Sequence, residues 1–425
     1  MTERIETVVI GGGQAGLAMS HHLRERGCEH LVLERARVAE RWRTQRWDSL
    51  MFQLPNWSLE LPGHAYAGDA PEEFSHKDAI LAFIEDYARR IQAPVRSGVE
   101  VLSVQPAGTP ACYRLETNTG TIEARNVVLA TGPYQRARVP AAAAELPADV
   151  VQVHASDYRS PGALPPGAVL VVGSGASGCQ IAEELLLSGR TVYFAIGRHR
   201  RVPRRYRGRD VFWWRRALGH LDQTVDETPP ERRFTAPLVT GVGGGHDIDI
   251  REYREKGMTL LGHVRAIRGG RIALAGDLEE NLRAGDREFR EFHAAVDDYV
   301  ARVGLDAPAG DAERRARPAN AGVGEIRELD LRAAGIRTVV WATGYSLDFG
   351  WVKLPVFGER GEPLQRRGVA PSPGLYFLGL TWMHKVKSSF LYGVGEDAQF
   401  IAERIRPARG HLTRRPGSRN GVVQE

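Results

Sequence analysis

Two short glycine-rich segments, Gly11-Gly12-Gly13-Gln14-Ala15-Gly16 and Gly173-Ser174-Gly175-Ala176-Ser177-Gly178, have the spacing that lets a backbone wrap a pyrophosphate. In such a loop the first glycine permits a tight turn, the second lets the phosphates come close, and the third lets a helix pack hard on a strand. An apolar run leads into each: Thr7-Val8-Val9-Ile10 into the first, and Val169-Leu170-Val171-Val172 into the second. Strand, glycine turn and helix N-terminus together make an anion site, and the pattern predicts two of them. Two dinucleotides held in one chain point to electron transfer between them.

The residue about 20 positions beyond the glycines meets the adenosine ribose. In the first unit Leu31-Val32-Leu33 ends in Glu34, followed by Arg35. A carboxylate there accepts from ribose hydroxyls and repels a 2′-phosphate, so FAD or NAD fits. In the second unit Thr191–Ile196 runs into Gly197-Arg198-His199-Arg200-Arg201, which is cationic where an NAD site has an acid. NADP(H) fits there, with Arg198 and Arg200 as phosphate candidates, although the same run also reads as solvated charge in an Arg-rich protein.

The elements that must position these groups follow from periodicity. Apolar spacing at Ile80, Phe83, Ile84 and Tyr87 predicts a helix. Strands are expected at Val99–Val104, Tyr113–Thr117 and Thr121–Ala124, the last two joined by an Asn118-Thr119-Gly120 hairpin. Asn126–Leu129 leads into Ala130-Thr131-Gly132, and a near copy, Thr338–Trp341 then Ala342-Thr343-Gly344, follows some two hundred residues later. These turns read as the points where the chain leaves and re-enters its first domain. The fold class is therefore α/β, two dinucleotide-binding Rossmann-like domains with the NADP domain inserted in the FAD domain. The expected parts are 1–160 (FAD domain), 161–335 (inserted NADP domain with helical elaboration), 336–406 (return segment) and 407–425 (disordered tail). Within the insert, Asp277–Gly304 reads as helix, and Gly304–Gly324 as a surface loop. A last helix is expected to open at Gly393-Val394-Gly395-Glu396-Asp397.

At 425 residues, 42% hydrophobic and 26% charged, the chain has ordinary globular composition. Its net charge of +5 is dispersed rather than gathered in a stripe, so no nucleic-acid role is implied. No apolar run reaches spanning length and the N-terminus runs directly into a strand, so a cytoplasmic protein without membrane association is expected. Cys28, Cys112 and Cys179 form no Cys-x-x-Cys and no metal spacing, which argues against disulfide reduction through paired thiols and against a bound metal. An oligomer is compatible with the sequence, which points to no particular subunit contact.

Several further features match together: Glu40-Arg41-Trp42, the block Trp47-Asp48-Ser49-Leu50 leading to Gln53-Leu54-Pro55, both Ala-Thr-Gly turns, Glu34 and Arg198. With them the chain resembles the flavin-containing monooxygenase family, in its compact bacterial and plant form, from about Ile5 to Ile405. The family's linker signature, Phe-x-Gly-x-x-x-His-x-x-x-Tyr, is half kept: His154 and Tyr158 are in place, but Ala148 and Val150 replace Phe and Gly. The resemblance implies FAD, NADPH, O2 and a small organic substrate. Reduced flavin would form a C4a-(hydro)peroxyflavin that oxygenates nitrogen, sulfur or carbon. It also implies FAD contacts at Arg41, Trp42, Leu50 and both Ala-Thr-Gly turns, and polar groups around the flavin at Gln53, His384 and Lys385. Gly395 would open a helix aimed at the flavin pyrimidine, where charge builds on reduction. His154 also reads as a hinge or structural histidine, and Trp213 and Trp214 read as buried core. A reductase or oxidase that passes electrons without oxygenation, and a nucleotide-sensing regulator, remain as alternatives.

Overall fold

The computed structural model describes residues 2–108, 112–228, 236–310 and 325–406. The chain opens with β1 (Glu3–Ile10), α1 (Gln14–Glu25) and β2 (His30–Glu34). It continues through α2 (Lys77–Arg90), β3 (Val95–Ser97), β4 (Val101–Pro106), β5 (Tyr113–Thr117) and β6 (Gly120–Leu129). After a two-residue strand β7 (Arg136–Ala137) come β8 (Val151–His154), β9 (Ala168–Val172), α3 (Ala176–Leu187), β10 (Val192–Ala195), β11 (Thr259–Leu261) and α4 (Leu278–Val303). The return takes β12 (Ile336–Trp341), β13 (Tyr345–Ser346), β14 (Leu375–Phe377) and α5 (Leu391–Ala402).

The first sheet runs β3-β2-β1-β6-β5-β4, with β14 also on β6. Expected strands at Thr121–Ala124 and Asn126–Leu129 fuse into the single ten-residue β6. Its first half pairs antiparallel with β5 through the predicted hairpin, and its second half pairs parallel with β14. The second sheet, β8-β12-β9-β10-β11, is parallel throughout. Its middle strand β9 is buried at every residue, as the unbroken Ala168–Val172 apolar run requires of a strand covered on both faces. Amphipathic α2 buries Ile80, Ile84 and Tyr87 against the first sheet, and α4 ends at Gly304, whose φ of +64° is the left-handed stop that glycine provides.

Sheet membership moves the domain boundaries. Val151–His154 and Ile336–Trp341 both join the second sheet, so 161–335 is too narrow for the insert and 336–341 is not part of the return. The Ala-Thr-Gly turns do mark the crossings: one ends β6 in the first sheet, the other ends β12 in the second. Directly beyond them β7 and β13 pair with each other, Ala137 with Tyr345 and Arg136 with Ser346, so the outgoing and returning chains cross side by side. The final helix begins at Leu391, not at Gly393–Gly395. The expected tail 407–425, and residues 311–324 of the expected surface loop, lie outside the described residues. Among the described residues no helix is long and apolar enough to cross a membrane.

Candidate functional site: two nucleotide cradles

The two glycine loops have the same construction. Gly11 has φ +117° and a Cβ there would lie 2.5 Å from the Ala130 carbonyl oxygen; Gly173 has φ +108° and would meet the Ala342 oxygen at 2.5 Å. Each Ala-Thr-Gly turn thus backs a glycine loop, bringing Ala130, Thr131 and Gly132 behind the first and Ala342, Thr343 and Gly344 behind the second. A Cβ on Gly16 would sit 1.9 Å from the Gly11 oxygen, and one on Gly178 would sit 1.8 Å from the Gly173 oxygen. These glycines let α1 and α3 touch the strand turns beneath them. The middle glycines differ: a Cβ on Gly13 or Gly175 meets nothing within 4 Å. Both are helix N-caps, and neither α1 nor α3 has a side chain capping its first N–H groups. Open space in front of free N–H donors at a helix N-terminus is the geometry a pyrophosphate fills.

The surrounding side chains distinguish the cradles. Glu34 accepts from the Gly12 N–H at 2.7 Å and the Ala36 N–H at 2.9 Å, which fixes its carboxylate on the loop with acceptor capacity left for a ribose diol. Arg35 next to it is exposed. Gln14 donates to the Ser389 carbonyl at 2.7 Å, tying the start of α1 to the turn before α5, and Ala15 packs beneath Gly379. In the second cradle Ser174 exchanges hydrogen bonds with Gly197 at 3.0 Å, while Gly175 and Ser177 are exposed and Ala176 half-buried. Arg198 is exposed at the end of β10 with no described side chain paired to it. Arg200 is committed to Glu288 at 3.1 Å, and Arg201 is buried between Asp249 (2.6 Å) and Asp286 (2.8 Å). Of the basic run, Arg198 is the guanidinium left open to a phosphate.

The other side chains singled out in the sequence have partners within the protein, and Gly395 has a different place in its helix. Gly395 lies inside α5, where its bare Cα admits Pro62: a Cβ there would meet the proline ring at 2.8 Å. It is a packing glycine rather than the opener of the helix. Leu50 is buried in a cluster with Tyr158 and Leu164 of the second domain, and Gln53 donates to the Val239 carbonyl at 2.9 Å, so this block stitches the domains together. Arg41 is held by Gln45 at 2.6 Å, and Arg46 lies 5.1 Å over the ring of Trp42. Lys385 is engaged by Asp222 and by Glu396, both at 2.9 Å. Lys387 contacts the same two carboxylates, giving a four-charge ring in which Asp222 comes from the insert and the rest from the return segment. His154 donates from Nε2 to the Gly344 carbonyl at 3.1 Å and packs edge-on against Tyr345; Tyr158 donates to Glu184 at 2.7 Å. Both side chains have partners within the fold; Trp214 is fully buried as expected, whereas Trp213 beside it is only partly buried.

Asp397 escaped the sequence reading. It is 2% exposed, one carboxylate oxygen lies 3.5 Å from His384 Nδ1, and the other has no hydrogen-bond partner among the described residues. Burial pushes the Asp397 carboxyl up and the His384 imidazole down, each against its charged form. An acid in a helix normally reads as a solvated face, and only its burial shows otherwise. A cavity of about 480 Å³ opens beside this region, lined by Arg200, Leu218, Asp222 and Gln223 of the insert and by Trp382 and Val386 of the return segment. Trp382 adopts φ +48°, a left-handed conformation that is strained for a tryptophan.

Residues 8–208 match a family described as pyridine nucleotide-disulphide oxidoreductase. Of known proteins, a CzcO-like oxidoreductase of Geobacillus kaustophilus is 32% identical over 408 residues, covering 95% of this chain and 99% of the other. Indole-3-pyruvate monooxygenase YUCCA1 of rice is 31% identical over 435 residues, covering 95% and 93%. The solved flavin-containing monooxygenase of Stenotrophomonas maltophilia has the same fold, with a TM-score of 0.65 at 19% identity over 95% of this chain and 98% of that one. With a plant monooxygenase aligned along nearly its whole length and both cradles built to fit FAD and NADP(H), this chain is an oxidoreductase that belongs to the flavin monooxygenase family.

Proposed function

We propose that the enzyme takes two electrons from NADPH, bound at the second cradle, to FAD, bound at the first, and transfers one atom of O2 to a small organic molecule. The balance is substrate, O2, NADPH and a proton giving oxygenated substrate, water and NADP+. The observation that carries the reading is the repeated cradle with opposite ribose ends, an acid at Glu34 and an open Arg198. Bound flavin supplies the site at which O2 is activated. The chain supplies the rest. The free N–H groups at the starts of α1 and α3 hold the pyrophosphates, Glu34 selects an unphosphorylated ribose, and Arg198 selects the 2′-phosphate. The insert packs on Leu50–Gln53 of the first domain and, through Asp222 and Gln223, on Lys385 and Trp382 of the return segment, and this closure keeps water from the reaction. The buried Asp397 carboxylate lies 3.5 Å from His384 Nδ1 and orients that imidazole from within α5.

Electron delivery to a disulfide is the competing reading, because the bacillithiol disulfide reductase of Bacillus cereus shares the fold with a TM-score of 0.60. Against it, Cys28 and Cys179 are buried and burial pushes both thiols up, away from the thiolate that disulfide exchange needs. The test is product analysis under isotopically labelled O2 with amines, sulfides, keto acids and phenols as candidates. Oxygenase action requires one labelled atom in an organic product per NADPH consumed. NADPH oxidation yielding only peroxide or reduced disulfide, with no labelled product from any class, would overturn it.

A further inference from the structure

Away from both cradles, at the far end of α1, one helical turn brings together His21, His22 and Glu25. His21 and Glu25 are four residues apart and His22 and Glu25 three, so all three side chains share one face. The Nε2 of His21 lies 3.4 Å from one Glu25 oxygen, and the Nδ1 of His22 lies 3.3 Å from the other. Among the described residues this is the one cluster of three metal-ligating side chains whose donor atoms all fall within 4.8 Å of one another.

We propose that His21, His22 and Glu25 bind a divalent transition-metal ion, of which Zn2+ is the best fit. Around a tetrahedral centre with ligand bonds of about 2.0–2.1 Å, neighbouring donor atoms stand about 3.3–3.4 Å apart. Each imidazole nitrogen already stands at about that spacing from one oxygen of the Glu25 carboxylate, His21 from one and His22 from the other, and the three donor atoms lie within 4.8 Å of one another, so a small turn of the carboxylate would bring one oxygen to both. Two imidazoles and one carboxylate favour zinc, cobalt or nickel over magnesium or calcium, which take oxygen ligands.

The surroundings are those of a held site rather than of loose surface side chains. The imidazoles are only 18% and 14% exposed, whereas Glu25 is 60% exposed and leaves the fourth position open to water. His21 packs against His22 edge-on at 5.1 Å and lies 6.2 Å from the ring of Tyr87. The backbone carbonyl of Gly395 bonds the His22 ring, the kind of outer contact that orients a ligating histidine. Tyr87, whose ring lies against His21, is 0% exposed and its hydroxyl has no hydrogen-bond partner among the described residues. A metal-bound water would supply the missing partner. The cluster also sits at the C-terminal end of α1, where the helix dipole favours a cation.

Glu25 is about 16 Å along α1 from the cradle at Gln14, taking 1.5 Å per residue, so the ion would not take part in chemistry at the flavin. Because His22 also contacts Gly395, the ion would clamp α1 to α5, the two helices that flank the first cradle.

The test uses the FAD-loaded full-length protein, stripped with a chelator and titrated calorimetrically with zinc chloride. One zinc per chain is expected, with affinity falling at least tenfold in His22→Gln and in Glu25→Gln. The flavin spectrum and FAD content should stay unchanged in both, and in His263→Gln, whose histidine pairs with Asp277 elsewhere, zinc affinity should also stay unchanged. Glu25 is exposed enough that its variant folds, so a folding defect cannot mimic the loss. Equal zinc binding by wild type and a His21→Gln/His22→Gln double variant would overturn the site, as would an equal loss in His263→Gln. Absence of zinc binding by wild type would also overturn it.

Discussion

Replacing Gly175 by Ala adds one methyl group at a position where a Cβ meets nothing within 4 Å. The backbone there has φ −74° and ψ 177°, which alanine adopts without strain. Folding should therefore change little. An alanine N-cap costs at most about 1 kcal/mol relative to the better capping residues, and loss of glycine's freedom in the unfolded chain returns about 0.4–1 kcal/mol. The net is within roughly 0.5 kcal/mol, below the size of effect that marks a structural role. For the nucleotide the same methyl stands in the open space in front of the N–H groups that begin α3. Losing one charge-assisted hydrogen bond costs about 1.5–3 kcal/mol, or about 10- to 150-fold in Kd for NADPH. The assay is anaerobic flavin reduction as a function of NADPH concentration, with thermal melting and bound-flavin absorbance measured on the same sample. Gly178→Ala serves as the contrast, since its Cβ would lie 1.8 Å from the Gly173 oxygen and must pry α3 from its strand. That variant should lose stability as well as NADPH. If Gly175→Ala binds NADPH within twofold of wild type, or melts as early as Gly178→Ala, the loop is not a phosphate cradle.

Arg198→Ala should weaken NADPH by about 1.5–3 kcal/mol, the scale of a hydrogen bond to a charged group, and leave NADH nearly unaffected; equal losses with both nucleotides, measured as kcat/KM ratios, would assign Arg198 a structural role. The hydrogen bond that His246 donates to the Glu183 carboxylate raises the pKa of His246 in the folded state, so its contribution to stability is complete below the unfolded value of about 6.5 and fades as pH rises through the folded one. With His246 half-exposed that contribution is at most about 0.5 kcal/mol, and Glu183→Gln should narrow the stability gap between pH 6 and pH 8 in denaturant titrations; an unchanged gap would remove the pair from the pH dependence.

What could be read from the sequence was what depends on neighbours along the chain. The strand, glycine turn and helix of each cradle lie within some thirty residues, and Glu34 and Arg198 are found by counting from the glycines. The hairpin at Asn118-Thr119-Gly120 was legible for the same reason. Pairing across long separations was not. Thr338–Trp341 carries the same local pattern as Asn126–Leu129, and only its neighbours β8 and β9 decide that it belongs to the second sheet. Lys385 reads as a free cation until Asp222, 163 residues earlier, is brought against it. Gly395 shows the ambiguity of glycine itself: the residue that opens a helix and the residue that lets a proline ring press on one are identical in sequence. Asp397 and the His21–His22–Glu25 turn were missed because burial and side-chain direction decide their chemistry, and neither is a local property.

The paired strands β7 and β13 set what kind of motion the two halves can make. A single tether would act as a ball joint, free to twist and tilt. Two tethers hydrogen-bonded side by side, with Arg138 N–H donating to the Gly344 carbonyl at 2.9 Å and His154 clamping the same carbonyl, behave as a door hinge with one easy axis. Both Ala-Thr-Gly turns adjoin this strand pair, so a rotation about it would leave the glycine loops they back at nearly constant separation and would move furthest the edges where Asp222 meets Lys385 and Lys387. A rotation about that pair would change the angle between the two cradles more than the distance between them, and would part the Asp222–Lys385–Lys387 contacts without dismantling either glycine loop.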